Sequence, residues 1–160
     1  MKKTIVFDKK QKFVLKEAFK LIKRRLGSVD NVKVIEQRNI KGRLISPQGW
    51  DVTGLKVHGY MRETKAIIIP SEPNINEVLH EYGHYLFHKH PELEKVGIPA
   101  SYPIKNGTAE EYNVMYGSND EWFAYHFAFW IQNKTKDWHL IEKKIFKEMI
   151  SVVKRKSGTY

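Results

Sequence analysis

Asn74–Pro91 reads NINEVLHEYGHYLFHKHP, and within it His80-Glu81-Tyr82-Gly83-His84 spells H-E-x-x-H. Two histidines four residues apart lie on one face of a helix, so both imidazoles can reach a single cation while Glu81 stands beside its open position. That is the donor set of a zinc peptidase. Ile75, Val78, Leu79, Tyr82 and Leu86 recur at helical spacing as an apolar stripe, whereas Glu77, His80, His84 and His88 fall on a separate face. A buried side and a ligand side therefore coexist. Asn74 with Glu77 three residues on predicts a capping box, and Pro91 marks the stop.

The rest of the 160-residue chain, 41% hydrophobic and 12% aromatic, suffices for one core, so a single domain over 1–160 is expected. There is no cysteine, which removes disulfides and thiolate metal sites and leaves His and carboxylate as ligands. The start, MKKTIVFDKKQKF, has positive charge without an apolar h-region, and no run approaches a bilayer-spanning length. A cytoplasmic protein with no membrane partner is the expectation. The net charge is +10, and residues 1–45 carry fourteen Lys/Arg against four Asp/Glu, while residues 46–160 carry fourteen of each. Such a face attracts polyanions, or it is simply a solvated helix surface.

Outward from the central helix, residues 8–26 place Val14, Leu15, Ala18, Phe19, Ile22 and Leu26 at helical spacing, with Asp8 as cap and Gly27 past the end. Strands are expected at Val32–Gln37, Arg43–Ser46, Leu55–Met61 and Ala66–Pro70. Ala66–Ile69 is continuously apolar and belongs inside the sheet; LKVHGYM alternates and suits an edge, where a substrate strand can add. His58 on that strand is a cleft or surface histidine. Glu92–Asn119 reads as irregular with a short helix near Thr108–Val114, a wall or lid of the cleft. Asp120–Gln132 is apolar around most of its circumference, with Glu121 as an acid that burial penalises unless it is paired or metal-bound. Ala124 and Ala128 lie on its side of the wheel, a small-residue surface for close approach to the His-bearing helix; Trp122, Phe123, Phe127, Trp130 and Ile131 fill the core. Trp138–Arg155, capped by Asp137, closes the fold with Trp138, Ile141, Ile145, Met149 and Val152 on one face. The fold class is α+β, a small mixed or antiparallel sheet packed against these helices.

A catalytic zinc takes three protein ligands and keeps one position for water. Three residues compete for third place. His90 stands where the metzincin pattern has its last histidine, but Phe87 occupies the glycine position; Glu111, in Gly107-Thr108-Ala109-Glu110-Glu111, is similar to an aspzincin acid; Glu121 has the best surroundings.

HEYGHYLFH followed by Glu121-Trp122-Phe123-Ala124-Tyr125-His126-Phe127-Ala128 resembles the short gluzincins of the ImmA/IrrE type, whose pattern is roughly HE-L-GH-x-x-L-H and then E-x-x-A-N-x-F-A. The resemblance implies a zincin-like fold, zinc on His80, His84 and Glu121, a catalytic Glu81, and a protein or peptide substrate, the family's best-known one being a phage or mobile-element repressor. Tyr125 departs from the pattern's Asn. A second resemblance, to the anthrax lethal factor and Pro-Pro endopeptidase group, rests on Tyr116-Gly117 before Glu121-Trp122-Phe123-Ala124. It implies that Tyr116 stabilises the oxyanion, with Tyr112 its rival. The expected activity is zinc-dependent endopeptidase, Glu81 acting as general base. The alternative is a non-catalytic zinc-binding regulator, associated with nucleic acid through its basic N-terminal helix.

Overall fold

Helix α1, Lys9–Leu26, buries Val14, Leu15, Ala18, Ile22 and Leu26 along one stripe, as the spacing predicts. It ends where Gly27 takes φ 88°, a left-handed conformation that glycine adopts without steric penalty, and the Gly27 amide donates to the Lys23 carbonyl at 2.8 Å. The computed structural model describes residues 9–36, 38–40, 43–45, 59–61, 66–70, 72–96 and 119–156. Asp8, the expected cap of α1, and His58 lie outside the described residues.

Strand β1, Lys33–Glu36, runs parallel to β5, Ala66–Ile69, and β4, Gly59–Met61, pairs with β5 in the antiparallel sense, giving the mixed order β1-β5-β4. All four residues of β5 are buried, as suits a strand flanked on both edges, and Ile67 and Ile69 join the core formed with the helices. β4 is an edge of this sheet among the described residues, as its alternation predicts. A separate antiparallel pair joins β2, Arg38–Ile40, to β3, Arg43–Ile45. β2 is not signalled by the sequence; three residues of RNI are too short to display a period.

Helix α2, Ile75–Lys89, starts with the predicted box: the Glu77 amide donates to Asn74 Oδ1 at 2.8 Å and the Asn74 amide donates to Glu77 Oε1 at 3.2 Å. Its rear face is fixed through Asp30. The Asp30 amide donates to the Tyr82 hydroxyl at 3.0 Å, the Tyr85 hydroxyl donates to Asp30 Oδ2 at 2.8 Å, and Lys89 forms an ion pair with the same carboxylate. Pro91 does not open a wholly irregular segment: a 3-10 helix, Pro91–Lys95, follows directly and buries Leu93.

Helix α3, Asn119–Ile131, packs antiparallel to α2, with Asp120 near His84 and Gln132 donating to Asn76 Oδ1 at 2.9 Å at the other end. The crossing is close. A Cβ on Gly83 would lie 2.8 Å from Ala124 Cα, so only glycine fits opposite that backbone. Trp122, Phe123, Phe127 and Ile131 fill the core as expected, while Trp130 is only half-buried and carries the Arg25 guanidinium on its face. Helix α4, Leu140–Lys156, departs further from expectation. It begins beyond Trp138, whose amide donates to Thr135 in a turn, so Asp137 is not its cap; Glu142 Oε1 accepts from the His139 amide there instead. Its buried face is Glu142, Ile145, Phe146, Met149, Ile150 and Val153, and Ile141 is 43% exposed. Together these elements form an α+β architecture in which no described helix is long and apolar enough to cross a membrane.

Candidate metal centre

The capping box sets where α2 begins, and the helical repeat then carries His80 and His84 to the same side, one turn apart. Their Nε2 atoms lie 3.2 Å from each other. Glu121, on the first turn of α3, reaches both: Oε1 is 2.6 Å from His84 Nε2 and Oε2 is 3.3 Å from His80 Nε2. The close packing of Gly83 on Ala124 brings the two helices near enough for this. Glu81 is 2% exposed beside them, with Oε1 4.0 Å from His80 Nε2.

Glu121 is not the internal acid that the apolar helix suggests, since its side chain is 43% exposed. The rings of His80 and then His84 hold its carboxyl well below the ordinary glutamate range, against the opposing pull of partial burial. Burial disfavours the charged ring of His84, but hydrogen bonds to Asp120 and Glu121 outweigh it and raise the pKa to about 10.

Asp120 has no part in the sequence-based reading and proves central. His84 Nδ1 donates to Asp120 Oδ1 at 2.5 Å, and His88 Nε2 donates to Asp120 Oδ2 at 2.8 Å. The signal that could have found it is an acid adjacent to Glu121 on a helix facing three histidines spaced by four.

Two groups among the described residues could hold a metal ion: His80, Glu81 and His84, and His84, His88 and Asp120. The first, extended by Glu121, has the better donor geometry. Ligands on a tetrahedral cation with ~2.1 Å bonds lie ~3.4 Å apart, close to the 3.2 Å between the two Nε2 atoms and the 3.3 Å from His80 Nε2 to Glu121 Oε2, while Glu121 Oε1 is at hydrogen-bond distance from His84 Nε2, 2.6 Å. The second group uses the other nitrogen of His84: Nδ1 and His88 Nε2 hold the two oxygens of Asp120 at 2.5 and 2.8 Å. Two imidazole nitrogens and a carboxylate suit a borderline cation such as Zn²⁺.

His90 belongs to neither group. It is buried at the C-terminus of α2, where its amide donates to the Leu86 carbonyl at 3.1 Å. Glu111, Tyr112 and Tyr116 lie outside the described residues. Comparison with protein-family models, curated proteins and solved structures finds no match to this chain.

Proposed function

We propose that the chain is a zinc-dependent endopeptidase with a zincin-like fold, which hydrolyses peptide bonds in a protein or peptide substrate. The observation that carries this reading is the convergence of His80, His84 and Glu121 on one point with the buried Glu81 alongside. His80 Nε2, His84 Nε2 and the Glu121 carboxylate would hold the cation. Zinc bound there supplies Lewis acidity, polarising a carbonyl and bringing the pKa of water toward ~7.

The chain's own groups supply the remainder. Glu81 accepts the proton of the attacking water and returns it to the leaving amine, the general acid–base role its place beside His80 permits. A purely structural site has no use for a carboxylate in that position. Asp120 holds His84 by its Nδ1–H, which would leave the Nε2 lone pair for the cation. The edge of β4 offers backbone groups to an extended substrate. Tyr116 is assigned the oxyanion by resemblance alone, with Tyr112 as the competing donor.

Purified protein should carry about one zinc per chain by elemental analysis, and cleave members of an unbiased peptide library read by mass spectrometry. Glu81→Gln should retain the zinc and lose cleavage. Proteolysis that survives in this variant removes the assignment of the base, and a protein without affinity for zinc removes the whole reading.

A further inference from the structure

The metal centre occupies one end of α3; the other end borders a basic groove. A cavity of about 880 Å³ lies between the last turn of α1 and the length of α4, lined by Arg24, Arg25, Lys144, Lys147, Lys154 and Arg155, with Glu148 the one acid among its described lining residues. A second hollow of about 510 Å³ shares Arg24 and Arg25 and adds Lys134. Trp130 has the Arg25 guanidinium 4.6 Å and the Lys154 ammonium 5.4 Å from its ring centre. These stacking contacts position both cationic heads along the groove. From Glu121 to Ile131 α3 rises ~15 Å at 1.5 Å per residue, so the groove is a feature separate from the metal centre.

We propose that this groove binds the phosphodiester backbone of a nucleic acid. Seven cations against one acid among the described lining residues concentrate positive potential, which draws a polyanion to the groove. The C-terminal dipoles of α1 and α4 explain why Arg24, Arg25, Lys154 and Arg155 are tolerated at those ends, but not the continuation of charge through Lys147 and Lys144. On α4, Lys144, Lys147, Ser151 and Lys154 step by three, four and three residues along one face, with neighbouring stems ~5–6 Å apart. Ser151 stands between Lys147 and Lys154, so three cations line that face, and a line of charge running the length of a helix suits an extended polyanion better than a single small anion. A second copy of this chain is a poor occupant, because each carries a net charge of +10.

The test is fluorescence anisotropy of a labelled random-sequence DNA oligonucleotide, single-stranded and as a duplex, titrated with the full chain over a series of salt concentrations. Each neutralised phosphate adds ~0.7 (single strand) to ~0.9 (duplex) to the salt slope. Lys144→Gln/Lys147→Gln, both at exposed positions, should therefore flatten the slope by about 1.4 to 1.8 and weaken binding about ten- to thirtyfold near physiological salt. The circular dichroism spectrum and the zinc content should be unchanged. The control, Lys12→Gln/Lys16→Gln on the exposed flank of α1, makes the same change in net charge and should alter binding less than threefold. Equal losses from the two double variants overturn the groove in favour of diffuse charge. Competition by poly-glutamate as strong as by DNA of equal charge overturns the nucleic acid as its occupant, as does an absence of binding. Because none of these readouts uses proteolysis, the groove and the peptidase reading stand or fall separately.

Discussion

Helix α3 carries two histidine–carboxylate clusters little more than a turn apart, and they are built to opposite ends. At its first turn, His80 and His84 of α2 face Glu121, whose side chain is 43% exposed, and the donors converge on a shared point. Further along, His126 is 1% exposed and both its ring nitrogens are matched: Nδ1 donates to the Trp122 carbonyl at 2.7 Å and Nε2 donates to Glu142 Oε2 at 2.8 Å. Glu142 Oε1 accepts in turn from the His139 amide at 3.1 Å, and the Trp122 ring stacks on His126 at 3.7 Å between centroids. The first arrangement concentrates lone pairs and has room for a cation. The second is a closed cross-link between α3 and α4. Residue type does not separate them; the direction in which the lone pairs point does.

The largest effects should come from removing a donor of the open cluster. His84→Ala or Glu121→Ala should lower zinc affinity at least ~1000-fold, more than the 10–100-fold associated with outer-shell partners, as measured by competition with a chromogenic chelator. Glu142→Ala should leave that affinity close to its original value and act on stability instead. It strands the His126 ring in the core, at about 3 kcal/mol in urea unfolding. If Glu142→Ala instead abolishes zinc binding while the protein stays folded, the two clusters are not independent and the contrast fails.

The closed cluster also has a pH signature. Burial works against the Glu142 carboxylate, but hydrogen bonds from His126 and the His139 amide prevail and lower its pKa from the ordinary 4.5. An acid whose native pKa is depressed contributes stability that is fully present above its unfolded value and is lost as pH falls through the native one. Unfolding followed from pH 7 downward should therefore show a loss of stability below about pH 4.5 that Glu142→Gln removes. An unchanged acid limb in that variant assigns the loss to other carboxylates.

Much of the open cluster was legible because its parts are local. H-E-x-x-H, the Asn74–Glu77 box and the Ala124/Ala128 surface each lie within a few turns of one helix, and helical geometry alone relates their members. Glu121 could be found because it stood out in an apolar run. Asp120 sits about 100° round the helix from Glu121, and only the crossing of α2 and α3 decides that it meets His84 and His88. The closed cluster is legible nowhere, because His126 and Glu142 are brought together by packing between helices. It also explains the one misplaced residue of the α4 face: Glu142 turns inward to His126 and neighbouring Ile141 is left exposed, while Ile145 and Met149 are buried as the spacing predicts. The basic groove was hidden for a related reason. Residues 46–160 are balanced overall, yet the cations of α4 gather beside those of α1.

A smaller effect tests the spacing between the helices. Gly83→Ala drives a methyl to within 2.8 Å of the Ala124 backbone, which α3 can relieve only by moving away. About 2 kcal/mol of destabilisation is expected from such overpacking, together with a fall in zinc affinity, since Glu121 rides on the displaced helix. Unfolding and chelator competition on the same sample read both. A variant that loses stability but keeps full zinc affinity would show that Glu121 follows the cation independently of its helix.

The smallest effect is the most informative about which atoms face the cation. If Asp120 orients His84 from outside the ligand set, Asp120→Asn retains an oxygen for the Nδ1–H and should weaken zinc binding only about tenfold, the low end for an outer-shell partner. The cobalt-substituted protein should keep a tetrahedral absorption spectrum, shifted but not abolished. His88→Ala should matter less still, because it touches the cluster only through Asp120 Oδ2. If the cation instead belongs to His84, His88 and Asp120, the ranking inverts: both substitutions abolish loading, and Glu121→Ala is nearly silent. The order of these three variants on one competition assay therefore assigns the cation to one nitrogen of the His84 ring or the other.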